Sequence, residues 1–97
     1  MVFAMKQFGT VLSMRVSGKQ AFNEIEPFLR MGKRVTFDFE GVDSVTNSFA
    51  DELFGHLISE FGMARLKELT TFAHINQIAA ITVRNAMDHR AIASAVS

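Results

Sequence analysis

Residues 35–39, Val35-Thr36-Phe37-Asp38-Phe39, set the first constraint on this fold. Val35, Phe37 and Phe39 alternate with Thr36 and Asp38, which is the period of a strand that buries one face. Gly41 breaks the run, and Val42 to Asn47 reads as a loop. The period then changes. Ala50, Leu53, Phe54, Leu57, Ile58 and Phe61 fall at helical spacing and form one apolar stripe, which Gly62 ends. Ser48 opens this helix with a hydroxyl that can cap it. Asp51 stands three residues later, as in a capping box with Asp in place of Glu. A strand that leads through a loop into an amphipathic helix is the unit from which α/β folds are built.

The unit recurs. After a basic link from Met63 to Glu68, Thr70 to Ile75 predicts another strand. Asn76 can cap a last helix carrying Ile78, Ala79, Thr82, Val83, Ala86 and Met87, and Ala91 to Ser97 is expected to fray. The first third allows two readings. In one, Val11 to Val16 is a strand and Ser17-Gly18-Lys19-Gln20 caps a helix from Gly18 to Met31, with Phe22, Ile25, Phe28 and Leu29 inward. In the other, the strand is Val2 to Phe8, Gly9 turns the chain, and a helix starts near Ser13. Pro27 should kink or shorten that helix. The fold class is α/β: a small, mostly parallel or mixed sheet of about four strands, with helices packed on it and right-handed crossovers.

The 97 residues fit one domain, 1–97, and leave no room for two. A domain this size buries only about 60% of the surface its unfolded chain exposes, so the core must be dense. A 48% hydrophobic content with ten Phe supplies it. Ten basic and ten acidic residues balance, which argues against the basic surface that displaces counterions from nucleic acid. Cysteine is absent, so disulfides, thiolate metal sites and a cysteine nucleophile are excluded; this usage is compatible with a reducing cytoplasm. The N-terminus lacks the long apolar core of a signal peptide, and no apolar run approaches the roughly 18 residues of a membrane span. The expectation is a cytoplasmic protein that binds neither membrane nor nucleic acid.

Catalytic motifs are missing. The glycines are isolated, so no nucleotide loop forms, and no nucleophile turn accompanies Ser, His and Asp. His56, His74 and His89 show no metal spacing. Between Val35 and Ala64 lie six acids (Asp38, Glu40, Asp43, Asp51, Glu52 and Glu60) and no Lys or Arg. One reading is a small metal-dependent enzyme using the stretch Asp38–Glu60, with Asp38, Asp43 and Asp51 around a hard cation at the C-terminal strand edge. The other is a solvated acidic face that steers a basic partner surface. The second is favoured, because no nucleophile or phosphate loop accompanies the acids. No catalytic residue, metal or cofactor is assigned.

The stretch from Val35 to Gly55 also carries a resemblance. Asp38-Phe39-Glu40-Gly41-Val42, followed by Ser48-Phe49-Ala50-Asp51-Glu52-Leu53-Phe54-Gly55, resembles the signature of the STAS-like family of unknown function. Phe8-Gly9 and Arg15 resemble its N-terminal part, and this favours the second reading of the first third. STAS domains proper are the anti-anti-sigma factors and the cytoplasmic domains of sulfate transporters. In anti-anti-sigma factors a loop of the type Asp-Ser-Ser-Gly begins a helix, and a histidine-kinase-like ATPase phosphorylates one serine there to switch partner binding. That loop falls on Thr46-Asn47-Ser48-Phe49. Only Ser48 matches, as the switch serine; Thr46 replaces the acid, Asn47 the first serine and Phe49 the glycine.

The resemblance implies a non-catalytic, regulatory protein-interaction module acting with a histidine-kinase-like ATPase. A structural self-associating subunit, such as a homodimer, is the other non-enzymatic alternative. The implied partner-binding residues are Asp43, Ser44, Thr46, Asn47, Ser48, Phe49 and Glu52. Ser48 has two readings, a plain N-cap or a phosphorylation site. A phosphate there would meet free amides and the positive end of the helix dipole, while Asp51 and Glu52 oppose it. Phe49, an aromatic at a helix start beside a polar loop, reads as an exposed anchor for the partner.

Overall fold

The alternation at Val35 to Phe39 makes the middle strand of the molecule. In the computed structural model, which describes residues 1–96 and side chains through residue 93, β3 (Val35–Asp38) pairs in parallel with β1 (Val2–Ala4) on one side and β5 (Thr70–Ala73) on the other. The register sets Phe3, Phe37 and Phe72 in one row and Val2, Thr36 and Thr71 in the next. The phenylalanine row faces the helices: Phe54 meets Phe37 edge-on with centroids 5.0 Å apart, and Phe37 is buried. On the opposite face the Thr36 and Thr71 hydroxyls hydrogen-bond at 2.9 Å, while Val2 and Thr71 stay exposed. A second, two-stranded parallel sheet joins β2 (Val11–Leu12) to β4 (Ser44–Val45). The five strands thus form two small sheets where the sequence predicts about four strands in one. The extra pair is two residues long, too short for periodicity to reveal.

The first third follows its second reading, with changes. β1 ends at Ala4, because Met5–Phe8 winds into a 3₁₀ turn. Gly9 turns the chain at φ 115°. The helix α1 (Arg15–Arg30) therefore contains Ser17 to Gln20 within its first turns, and those residues do not cap it. Pro27 does not stop α1, which runs past it to Arg30. At Gly18, α1 crosses close to the next helix. A Cβ there would lie 2.9 Å from the Glu52 Cβ and 3.1 Å from the Phe49 carbonyl oxygen.

Beyond β4 the chain forms α2 (Asn47–Ala50), a π turn (Asp51–Gly55) and α3 (His56–Phe61) in direct succession. The π turn packs against both α1 and the last helix. Gly62, at φ 84°, ends α3. The segment read as a basic link is instead the helix α4 (Met63–Leu69), held by buried Leu66 and Leu69. Two apolar residues among charges left too weak a stripe to recognise. The last helix, α5 (Gln77–Val96), is capped by Asn76, whose Oδ1 accepts the Ala79 N–H at 2.8 Å. It continues through residues expected to fray; Ser97 lies outside the described residues. Among those residues, no helix is long and apolar enough to cross a membrane.

Candidate functional site

The loop between β3 and α2 is tied down from three directions. The Asp43 N–H donates to the Thr10 carbonyl at 2.7 Å, and the Thr46 N–H donates to the Leu12 carbonyl at 2.8 Å. The Asn76 side-chain amide donates to the Asp43 carbonyl at 3.0 Å. These bonds fix where α2 begins, and they make Thr46 its cap. The Thr46 Oγ1 accepts the Phe49 N–H at 3.3 Å and donates to the Ser13 carbonyl at 3.0 Å. The expected cap at Ser48, with Asp51 as its box partner, is thereby corrected. Thr46 is the residue still in extended conformation where the chain leaves β4 (φ −84°, ψ 161°), as a cap must be. Ser48 lies in the first turn and is half-buried.

Phe49 is also corrected. It has no exposed surface and lies 6.4 Å from the Phe8 ring, centroid to centroid. The inward stripe begins at Phe49, one residue earlier than read, and continues through Ala50, Leu53 and Phe54. An aromatic inside the core cannot anchor a partner.

What α2 presents to solvent is polar. Asn47, Ser48 and Asp51 line a cleft of about 500 Å³ together with Arg15 at the start of α1 and Asn85 and His89 on α5. Asp51 is the fixed point of this cleft. Its Oδ1 accepts from the Arg90 Nε at 2.9 Å and its Oδ2 from the Arg90 Nη2 at 3.2 Å. The Arg15 Nη1 adds a bond at 3.0 Å. The Arg90 hydrogen bonds, and after them those of Arg15, hold the Asp51 carboxyl below the usual carboxylate range. Arg90 also reaches the Ser59 Oγ at 2.9 Å, so one guanidinium fork joins α5 to the π turn and to α3. Gly55 makes the fork possible: a Cβ there would lie 2.9 Å from both the Arg90 Cγ and the Asp51 Oδ1.

A second polar group sits at the C-terminal ends of β3 and β5. The Asp38 Oδ1 accepts from the Glu40 N–H at 3.0 Å and pairs with the His74 Nδ1 at 2.9 Å. The His74 bond, then the Glu40 N–H, lowers the Asp38 carboxyl, and Asp38 in turn raises the His74 imidazole. His74 holds φ 55°, a conformation rare for residues other than glycine. The ligand atoms of Asp38, Glu40 and His74 lie within 4.8 Å of one another, the one such set among the described residues. The cation site read as Asp38, Asp43 and Asp51 is therefore not assembled: Asp38 faces His74, Asp51 faces two arginines, and Asp43 stands apart on the loop.

The predicted interaction residues thus divide. Asp43 and Ser44 are exposed on the loop and β4, and Asn47 and Ser48 enter the cleft. The Thr46 hydroxyl caps the helix, Phe49 is core, and Glu52 is half-buried against Gly18. Sequence reasoning gave no role to Arg90, Asn85, His89 or His74, because each reaches its place across the fold and no local spacing marks it. His56 is half-buried at the edge of the core, its ring stacked on Phe22 with centroids 3.8 Å apart.

No curated protein and no solved structure matches the chain. A family model described as a STAS-like domain of unknown function matches residues 17–78. That region runs from the first turns of α1, through β3, the loop and the cleft-forming start of α2, to the first turn of α5; Phe8, Gly9 and Arg15 fall outside it. More than half of the chain is covered, and with it the strand, loop and helix on which the site is built, so the chain belongs to the family of STAS-like domains of unknown function.

Proposed function

We propose that the chain is a non-catalytic protein-interaction module whose working surface is the exposed loop Asp43–Ser44 and the polar cleft at the start of α2. The observation that carries this reading is the convergence of three helices on Ser48. Asn47, Arg15, Asn85 and His89 surround it in an open cleft, while Asp51 is held aside by two arginines. Polar donors around a shallow opening suit the rim of a protein interface. The partner class we favour is a histidine-kinase-like ATPase, and the regulatory event is phosphorylation of Ser48. A phosphate there would have Arg15, the Asn47 and Asn85 amides and His89 within its surroundings, and such donors favour added negative charge.

The test is capture of partners from native cells with the full chain, together with mass analysis of Ser48. A copurifying ATPase, kept by Ser48→Ala and lost with Ser48→Asp, is the expected result. Equal capture by Ser48→Asp and wild type would remove the phosphoswitch. Capture undiminished by Asn47→Arg and Asp43→Arg would move the surface elsewhere on the fold.

A further inference from the structure

The last helix is apolar on two opposite sides. Its inward side buries Ala79, Val83 and Met87 in the core. On the other side Ile78, Ile81, Asn85, Asp88 and Ile92 are all exposed, at alternating steps of three and four residues. The isoleucines are 78%, 49% and 66% exposed in that order. A surface helix needs one apolar stripe to join its core. A second stripe with three–four spacing is the pattern by which one helix packs along another. Of this stripe only Ile78 lies within the residues matched to the family.

We propose that this stripe is a self-association surface, on which α5 of one copy packs antiparallel against α5 of a second copy about a two-fold axis near Ala86 and Met87. The polar positions choose both the occupant and its direction. In the antiparallel register that superposes positions 81 to 92 of the two stripes, Asn85 faces Asp88 of the second copy and Ile81 faces Ile92 of the second copy, each pair occurring twice; Ile78 lies beyond the paired positions. The Asn85 amide donates to that carboxylate. A parallel pair would set Asp88 against Asp88, two like charges in a seam that excludes water. The antiparallel arrangement is self-complementary and closed, so assembly stops at two. Four seam positions per copy make a short contact, smaller than the roughly 800 Å² per partner of a standard interface, so the dimer forms in a concentration-dependent way. Asn85 also lines the cleft at Ser48, so the second copy and a group bound in that cleft compete for its amide.

Sedimentation velocity over a concentration series tests this. The weight-average mass of the wild type should rise from one 10.8 kDa chain towards two. The double variant Ile81→Asp/Ile92→Asp should stay at one while its circular dichroism and melting in dilute solution are unchanged, since both side chains are exposed. The chain has no cysteine, which allows a direct test of direction. When Ile81→Cys and Ile92→Cys proteins are mixed under mild oxidation, the mixed disulfide should form faster than either homodimeric one. A wild type that stays monomeric throughout, a dimer indifferent to the double Asp variant, or faster 81–81 and 92–92 cross-links would each overturn the proposal.

Discussion

The π turn and the end of β3 each hold an aspartate against cationic side chains, yet they are built to different ends. At the π turn, Asp51 is largely shielded from solvent and joined by Arg90 and Arg15, groups that stay charged at any ordinary pH. Its partners come from α1 and α5, so the bond network ties three parts of the chain together. At the end of β3, Asp38 meets His74, whose side chain is 63% exposed and whose charge is conditional. The first arrangement is a fixture that shapes one wall of the cleft. The second is a corner that responds to protons and carries little of the fold. The contrast shows that charge pairing alone does not mark a functional group; the permanence of the partner and the surrounding burial decide what the pair does.

The strongest way to break the contrast is to remove the core beneath the fixture. Phe49→Ala should cost about 3–5 kcal/mol, because the ring is wholly buried, and denaturant unfolding will read it. A loss under about 1 kcal/mol would place the ring at the surface after all.

The fixture itself comes next. Asp51→Asn leaves the Arg90 fork one acceptor and sets an amide donor against its other arm at a partly buried position, and should cost about 2 kcal/mol. The loss should be equal at pH 7 and pH 5. Asp51 has a lowered folded pKa, so its contribution is fully present above its unfolded value of about 3.9 and disappears only as pH falls through the lower folded value. A loss that differs between pH 7 and pH 5 would contradict the assignment.

An effect of similar size sharpens the same point. Gly55→Ala pushes a methyl into the Arg90 stem and the Asp51 carboxylate, and should cost about 1–3 kcal/mol. If the clash is with the fork, Arg90→Ala should relieve it, and the double variant should lose less than the two single variants added together. Strict additivity would mean that Gly55 matters for the π turn alone.

These side chains also show where sequence reading reaches its limit. Val35 to Phe39 was legible because alternation and β-branching lie within five residues, and the stripe from Ala50 to Phe61 was legible for the same local reason. Phe49 was misread because its exposure depends on a two-residue shift of the helix start, from Ser48 to Thr46 as the cap. That shift was decided by Thr46 bonding to Ser13, a residue 33 positions away. Arg90 and Asp51 are 39 positions apart, and nothing in either local pattern announces the pair. Of the residues read as an interaction surface, Asn47 and Ser48 line a cleft. The far wall was not found, because it is supplied by α5.

The smallest expected effect belongs to the β3 corner, and its sign is informative. His74 has a raised folded pKa because Asp38 bonds to its imidazole. Its stabilising contribution is therefore fully present below the unfolded value of about 6.5 and is lost as pH rises through the higher folded value. The Asp38 side has the opposite sense: its contribution is present above about 3.9 and is lost as pH falls through its lowered value. Glu40, which also faces His74, adds to the raising of the imidazole that Asp38 causes. Wild type and His74→Asn should thus differ most between about pH 4 and about pH 6.5, and should converge in alkaline solution. Asn is the apt replacement, because it tolerates the positive φ at this position and so removes the charge with little backbone strain. Melting curves at a series of pH values measure the difference, which should be smaller than that of Asp51→Asn throughout because the imidazole is exposed and solvent screens the pair. A difference that grows with rising pH would mean that the imidazole is bound in its neutral form, and would reverse the assignment of charge at this corner.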